Sequence, residues 1–224
     1  MNQRAIISLF LVLLVNLLLS CSNHPGSNTF TEHIISPTLA TTNNNLVVQT
    51  TKIKFKTESG KDLFSLKQKD NGIKLVDSNE QELARIRENT PGIMKIKNAS
   101  EQVLGYLIRE KGQWKLENPS RNLGLYTLKR HNNIHYTLED AANKTIYEIK
   151  IQKGSWEINT ADKNLVYQVN IKDGKTSLIN SSATAIFYTK SAISPIAFAC
   201  FGFDVLTREQ QAALAYAVNL TGGK

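Results

Sequence analysis

From about residue 50 onward, apolar and polar residues alternate in short bursts, and the bursts recur with a period near 20. Glycines stand at 72, 92 and 112 and again at 154 and 174; near 132, Asn132 and Asn133 take the place of the expected glycine and suit a turn equally well. After most of these turns apolar residues follow in alternation: Met94 and Ile96, Trp114 and Leu116, Ile134 and Tyr136, Trp156 and Ile158. Period two is the mark of a half-buried strand. Gly72 is offset by one, with Ile73 and Leu75, and after Gly174 the pattern weakens to Thr176 and Leu178. A second, irregular turn closes each strand, carried by SNEQ from 78, NASEQ from 98, NPSRN from 118, DAANK from 140, TADKN from 160 and NSSAT from 180. Beyond these come LARIR, VLGYLIR, LGLYTLKR, TIYEIKI, LVYQVNI and AIFYT. Each unit therefore reads as a hairpin, and six units give about twelve short strands. One or two more precede them, in KIKFK from Lys52 and LFSLKQK from Leu63.

The alternation stops at SPIAFACFGFDVL, Ser194 to Leu206, where bulky residues leave no face for water. At about 100° per residue Ile196, Phe198, Phe201 and Phe203 point in four separate directions, so a helix here is buried on every side. Ser194 can cap it and Pro195 suits its first turn. It is too short to cross a bilayer, which takes about 20 residues. Thr207 and Gln210 then have the spacing of a capping box, and a second helix runs to about Leu220 before Gly222 and Gly223. Its stripe of Ala213, Leu214, Ala217 and Val218 suits docking on the outside of a β-structure, or, less simply, on a membrane surface.

A dozen antiparallel strands followed by a wholly apolar helix predict a mainly β fold with a C-terminal α part: a closed barrel of hairpin repeats around a central hydrophobic helix, plus a short C-terminal helix. A parallel solenoid also explains the period but needs no such helix. A transmembrane barrel calls for an apolar outer face, whereas these strands carry Lys and Arg on one face.

Residues 1 to 45 have another character. The chain opens MNQRAIISLFLVLLVNLLLSCSN, with one cation, Arg4, and an apolar run from Ala5 to Leu19 broken by Ser8 and Asn16. A charged start and apolar centre make a secretory signal. The end of the run, Leu18 to Cys21, resembles the lipobox of bacterial lipoproteins; the resemblance implies that residues 1 to 20 are removed and that Cys21 carries the acyl chains. An uncleaved anchor helix is the alternative. Ser22 rather than Asp after the cysteine implies, by the sorting pattern of that family, release to the outer membrane facing the periplasm. The stretch from Ser22 to Asn45, rich in Ser, Thr, Asn and Pro, reads as a flexible tether. Residues 46 to 224 then make one domain.

Composition adds a net charge of +8 and two cysteines. With Cys21 acylated, Cys200 has no partner for an intramolecular disulfide, and its place in the apolar helix makes it a core residue. The chain has no GxSxG, no phosphate-binding glycine loop, no HExxH and no CxxC. His131 and His135 flank one turn but lack a third ligand, and His24 and His33 lie in the tether. Glu139 and Asp140 are neighbours and point to opposite faces of a strand. No catalytic constellation and no cofactor are expected. Trp114 and Trp156 occupy equivalent points of two repeats, as core residues or as a stacking platform for sugar or lipid. Lys95 and Lys97 fall on the face opposite Met94 and Ile96, hence outward, and Lys52, Lys54 and Lys56 alternate along the first strand. These five are the candidate contacts for an anionic ligand.

Hairpin repeats with turns of the type GIKLVDSNEQELARI, ending in a hydrophobic helix, resemble the tubby C-terminal-like superfamily, which includes the LURP-one-related proteins and the phospholipid scramblases. The resemblance spans about residues 50 to 206. It implies a twelve-stranded barrel around one central helix, starting here at Pro195. Tubby proteins bind phosphoinositides through basic residues, although no motif transfers residue by residue. Asp204 and Glu209 are too sparse for the calcium-binding segment of the scramblases. The expectation is a membrane-tethered, non-enzymatic lipoprotein that binds an envelope component such as anionic lipid. The alternative is an assembly module docking onto another envelope protein. Nucleic acid is excluded by the secretory address.

Overall fold

The computed structural model describes residues 52–221. The expected signal peptide, Cys21 and the expected tether with its two histidines lie outside the described residues. Fourteen antiparallel strands follow one another around a closed ring. They are β1 Lys52–Lys56, β2 Asp62–Lys69, β3 Gly72–Asp77, β4 Glu82–Thr90, β5 Ile93–Asn98, β6 Val103–Glu110 and β7 Gln113–Glu117, then β8 Gly124–Asn132, β9 His135–Asp140, β10 Thr145–Gln152, β11 Ser155–Thr160, β12 Leu165–Lys172, β13 Lys175–Asn180 and β14 Ala185–Thr189. All thirteen consecutive pairs are hydrogen-bonded, and β1 closes the ring onto β14. The count exceeds the expected twelve because β1 and β2 join the six predicted hairpins as a seventh.

The two sets of turns define two ends. At one, which we term the hairpin end, six connections have two residues each; Lys153 and Gly154, and Asp173 and Gly174, have positive φ at both positions, the geometry that follows the natural twist of a hairpin. At the other, the loop end, seven connections of four to six residues share one device. Each is led by Thr57, Asp77, Asn98, Asn118, Asp140, Thr160 or Asn180, whose side-chain oxygen accepts the backbone N–H four residues on, at 2.8 to 3.2 Å. Three residues after each leader sits a left-handed residue: Gly60, Glu80, Glu101, Arg121, Asn143, Lys163 or Ala183. The side chain thus supplies the turn with a hydrogen bond that the ladder cannot.

Inward positions follow the predicted alternation. Leu75, Ile86, Met94, Ile96, Trp114, Leu116, Tyr136 and Ile158 are all buried in one apolar core. Ile134 is the exception: it stands in a two-residue turn, outside the strand, and is exposed.

The lumen holds two helical segments, where one was expected. The first is α1, Pro195–Ala199, continued by a 3₁₀ turn at Cys200–Gly202; the Ser194 hydroxyl caps it by accepting the Ala197 N–H. It packs against β11, β12 and β13. The second is α2, Arg208–Leu220, with the predicted Thr207 and Gln210 capping box complete. This helix was expected outside; instead it packs against β3 to β7 and against α1, with Ala212 to Ala215, Ala217 and Val218 fully buried. The reading of α2 as an outer or membrane-surface helix is corrected accordingly. Its alanines reflect space: two helices share one lumen, and small side chains let them lie close. They run antiparallel, and the Asn219 side chain accepts the Ser194 N–H at 2.9 Å, tying the start of one to the end of the other.

Ring closure is the thinnest pairing, with Lys56 opposite Tyr188. Inside that seam Phe55, Phe64, Phe187, Phe198 and Phe201 form an aromatic cluster, Phe55 stacking on Phe64 at 4.4 Å between centroids. Apolar packing there makes up for the short ladder.

Candidate functional site

The candidate lysines lie on one wall. In β1, Phe55 turns into the core and Lys52, Lys54 and Lys56 turn outward, flanking a cleft of about 300 Å³ at the seam with Tyr188, Lys190 and Ser191. Lys54 and Lys56 share a single carboxylate, Asp62, at 3.4 and 3.0 Å. Hydrogen bonding first from Lys56, then from Lys54, holds the Asp62 carboxyl below its usual range. Lys175 sits over the Tyr188 ring at 4.1 Å.

Lys95 and Lys97, on β5, belong to a separate small groove of about 90 Å³ with Arg85 and Arg87. Register connects the two groups. Lys52 is opposite Lys67, Lys67 opposite Lys74, Lys74 opposite Arg85, and Arg85 opposite Lys97, so a row of five cations crosses β1 to β5. Like charges directly opposite one another are destabilising unless countered. Three carboxylates at the loop end counter them: Glu80 pairs with Lys52 and Lys67, Glu82 with Lys74 and Arg85, and Glu101 with Arg85 and Lys97. Lys52 and then Lys67 hold Glu80 down to about 2. The row is therefore compensated in large part. Arg87 and Lys95, opposite each other one step nearer the hairpin end, make no ion pair among the described residues. Lys95 instead lies over the Tyr106 ring at 5.6 Å.

The remaining chemical candidates resolve into packing. His131 and His135 stack at 4.6 Å; the first bonds Thr137 and the second Glu148, each at 2.9 Å. Among the described residues no group of three His, Cys, Asp or Glu is placed to hold a metal ion. Glu139 pairs with Lys129, while Asp140 leads a turn. Trp114 is buried, and Trp156 packs partly buried against Tyr136. The Cys200 thiol donates to the Ile196 carbonyl at 3.4 Å, and burial pushes its pKa far up, so it carries no reactive thiolate.

What sequence reasoning missed is a polarity along the barrel axis, since turns 20 residues apart gather at one end only in three dimensions. We count each strand turn with the two residues that flank it on either side. The seven loop-end turns then carry ten carboxylates, among them Glu58, Asp77, Glu117 and Asp162, against six cations. The six hairpin-end turns carry Lys69, Arg109, Lys111, Lys153, Lys172 and Lys175 against Asp70, Glu110 and Asp173. Lys190 after β14 adds to the same basic end, while Lys175 is held at 2.9 Å by Glu58 from a loop-end turn. Clefts of about 770 and 760 Å³ border this end, one beside Arg109, Lys111 and Arg130, the other beside Lys153, Lys172 and Lys175. The hairpin end also displays apolar side chains: Ile134, Ile151, Ile171 and Leu220 are 53, 38, 59 and 47 % exposed.

Comparison with known proteins adds little beyond this geometry. No family model matches the chain, and no curated protein matches it. Among solved structures, the X-ray structure of a protein from Arabidopsis thaliana is similar to it at 17% identity and a TM-score of 0.38, over 62% of this chain and 78% of that one.

Proposed function

We propose that the protein is a bacterial lipoprotein, acylated at Cys21 after loss of residues 1 to 20, whose barrel works without catalysis by binding an anionic component of the envelope, namely lipid head groups. In this reading it faces the periplasm from the outer membrane and belongs with the tubby-like barrels. A closed antiparallel barrel with apolar helices in its lumen supports that kinship; fourteen strands and a second lumen helix depart from the family pattern.

The observation that carries the binding role is the surplus of cations on the outer wall and hairpin end of a barrel whose lumen is filled by its own helices. Arg87, Lys95 and Lys190 lack carboxylate partners among the described residues, and Lys54 and Lys56 share one. Each such cation near an anionic surface contributes about 1 kcal/mol, so a handful suffices to hold a protein already tethered by acyl chains. The test uses the chain from Cys21 onward made without lipid, sedimented with vesicles of neutral or of anionic lipid. Retention on anionic vesicles alone, falling as salt rises, is the expected result. Equal retention on both kinds of vesicle removes the head-group reading and favours a protein partner.

A further inference from the structure

The basic and apolar features of the barrel converge at one end, and β1 starts at that end. β1 runs from Lys52 toward the loop end, so the polypeptide enters the barrel at the hairpin end. Everything upstream, including the apolar run Ala5 to Leu19 and Cys21, is therefore joined to the molecule there. The strand β14 also ends there, and α2 returns there with Leu220.

Four of the seven large apolar side chains exposed among the described residues stand at this end, three of them on neighbouring hairpins. Ile134 occupies a turn, and Ile151 and Ile171 close β10 and β12 just beyond Ile149 and Val169, the last buried lumen positions of those strands. Single exposed isoleucines are ordinary. Several on adjacent tips, with Lys153 and Lys172 beside them, form the combination that an anionic bilayer surface accepts: cations at head-group level and short apolar tips below. At the opposite end carboxylates outnumber cations, and most of them are paired with cations of the wall.

Resting on the proposed lipoprotein reading, we infer that the barrel docks end-on onto an anionic lipid bilayer, with Ile134, Ile151 and Ile171 entering the head-group region and the loop end pointing away. The partner is the bilayer that carries the anchor. The lumen helices take no part, and the tether serves to hold the hairpin end within reach.

The acylated full chain, reconstituted in vesicles containing phosphatidylglycerol, tests this by site-specific fluorescence. Single cysteines introduced as Ile134→Cys and Ile171→Cys at the hairpin end, and as Ser100→Cys and Ala183→Cys at the loop end, are labelled with a small fluorophore. Cys200 is buried and stays unlabelled, and the unsubstituted chain reports any labelling at Cys21. Spin-labelled lipid is then added as quencher. Positions 134 and 171 lose about half their emission, as expected for groups about 5 to 10 Å into the interface, while 100 and 183 keep theirs. The contrast disappears in about 1 M salt, where the screening length falls to about 3 Å. Vesicle-bound protein with no quenching at either end overturns the docking and leaves the lipoprotein reading standing. Quenching at positions 100 and 183 overturns the orientation. A full chain that fails to float with vesicles of any composition overturns the lipoprotein reading and this inference with it.

Discussion

Six of the seven loop-end turns place a residue other than glycine at positive φ, and Ala183 at +60° is the simplest case, with no polar side chain to offset the crowding of its Cβ. Ala183→Gly stabilises the barrel by about 1 kcal/mol, seen as a higher urea midpoint with an unchanged slope. The leaders act in the opposite sense. Asp77 accepts the N–H groups of Asn79 and Gln81 at 2.9 and 2.8 Å, and Asp77→Ala costs about 1.5 to 3 kcal/mol by the same measurement. Glu80 gives the turn a pH dependence. Its depressed carboxyl contributes fully above its ordinary value of 4.5, and the contribution fades as pH falls toward 2. Glu80→Gln flattens the fall of the urea midpoint between those pH values and leaves the rest of the acid limb intact; an unchanged profile would show that Lys52 and Lys67 do not act through it. In the sequence the irregular turns were visible as clusters of Ser, Asn and Asp, but the leader at a fixed position was not, because Thr, Asp and Asn share the role without sharing a name.

At the level of elements, the hairpins could be read from alternation, because a half-buried strand must alternate. The helices could be read only as helices. Ala213, Leu214, Ala217 and Val218 look like the stripe of an outer helix, and only closure of the ring reveals that their neighbours Ala212 and Ala215 are buried as well. Ala213→Leu overpacks the lumen and costs about 1 to 3 kcal/mol. Phe201→Asp puts a carboxylate among Phe55, Phe64 and Phe198 and abolishes cooperative unfolding. A calorimetric transition retained near the wild-type temperature in that variant would mean the aromatic cluster does not hold the seam. The pair Asn132 and Asn133 suggests a turn one residue too early; the turn itself is Asn133 and Ile134, and the strand begins at His135.

For the whole molecule, the candidate lysines of β1 and β5 were legible as outward positions, but their joining through Lys67, Lys74 and Arg85 depended on register. The axial polarity was not legible either, since carboxylates and cations are interleaved along the chain and separate only when alternate turns are sorted to opposite ends. Gly72 shows how tightly neighbouring strands are set: a Cβ there would stand 2.0 Å from the Ile86 carbonyl oxygen, so no side chain fits without displacing β4.

The helices that fill the lumen are also the last part of the barrel to be made. Neighbouring strands can pair as soon as each hairpin leaves the ribosome, because those contacts are local in sequence. The ring has nothing to close around until the chain from Pro195 onward has been synthesised, and its closing contact joins β1 to β14. Closure of the ring therefore waits for the segment from Pro195 onward, and until it is made the strands have no filled lumen to close around.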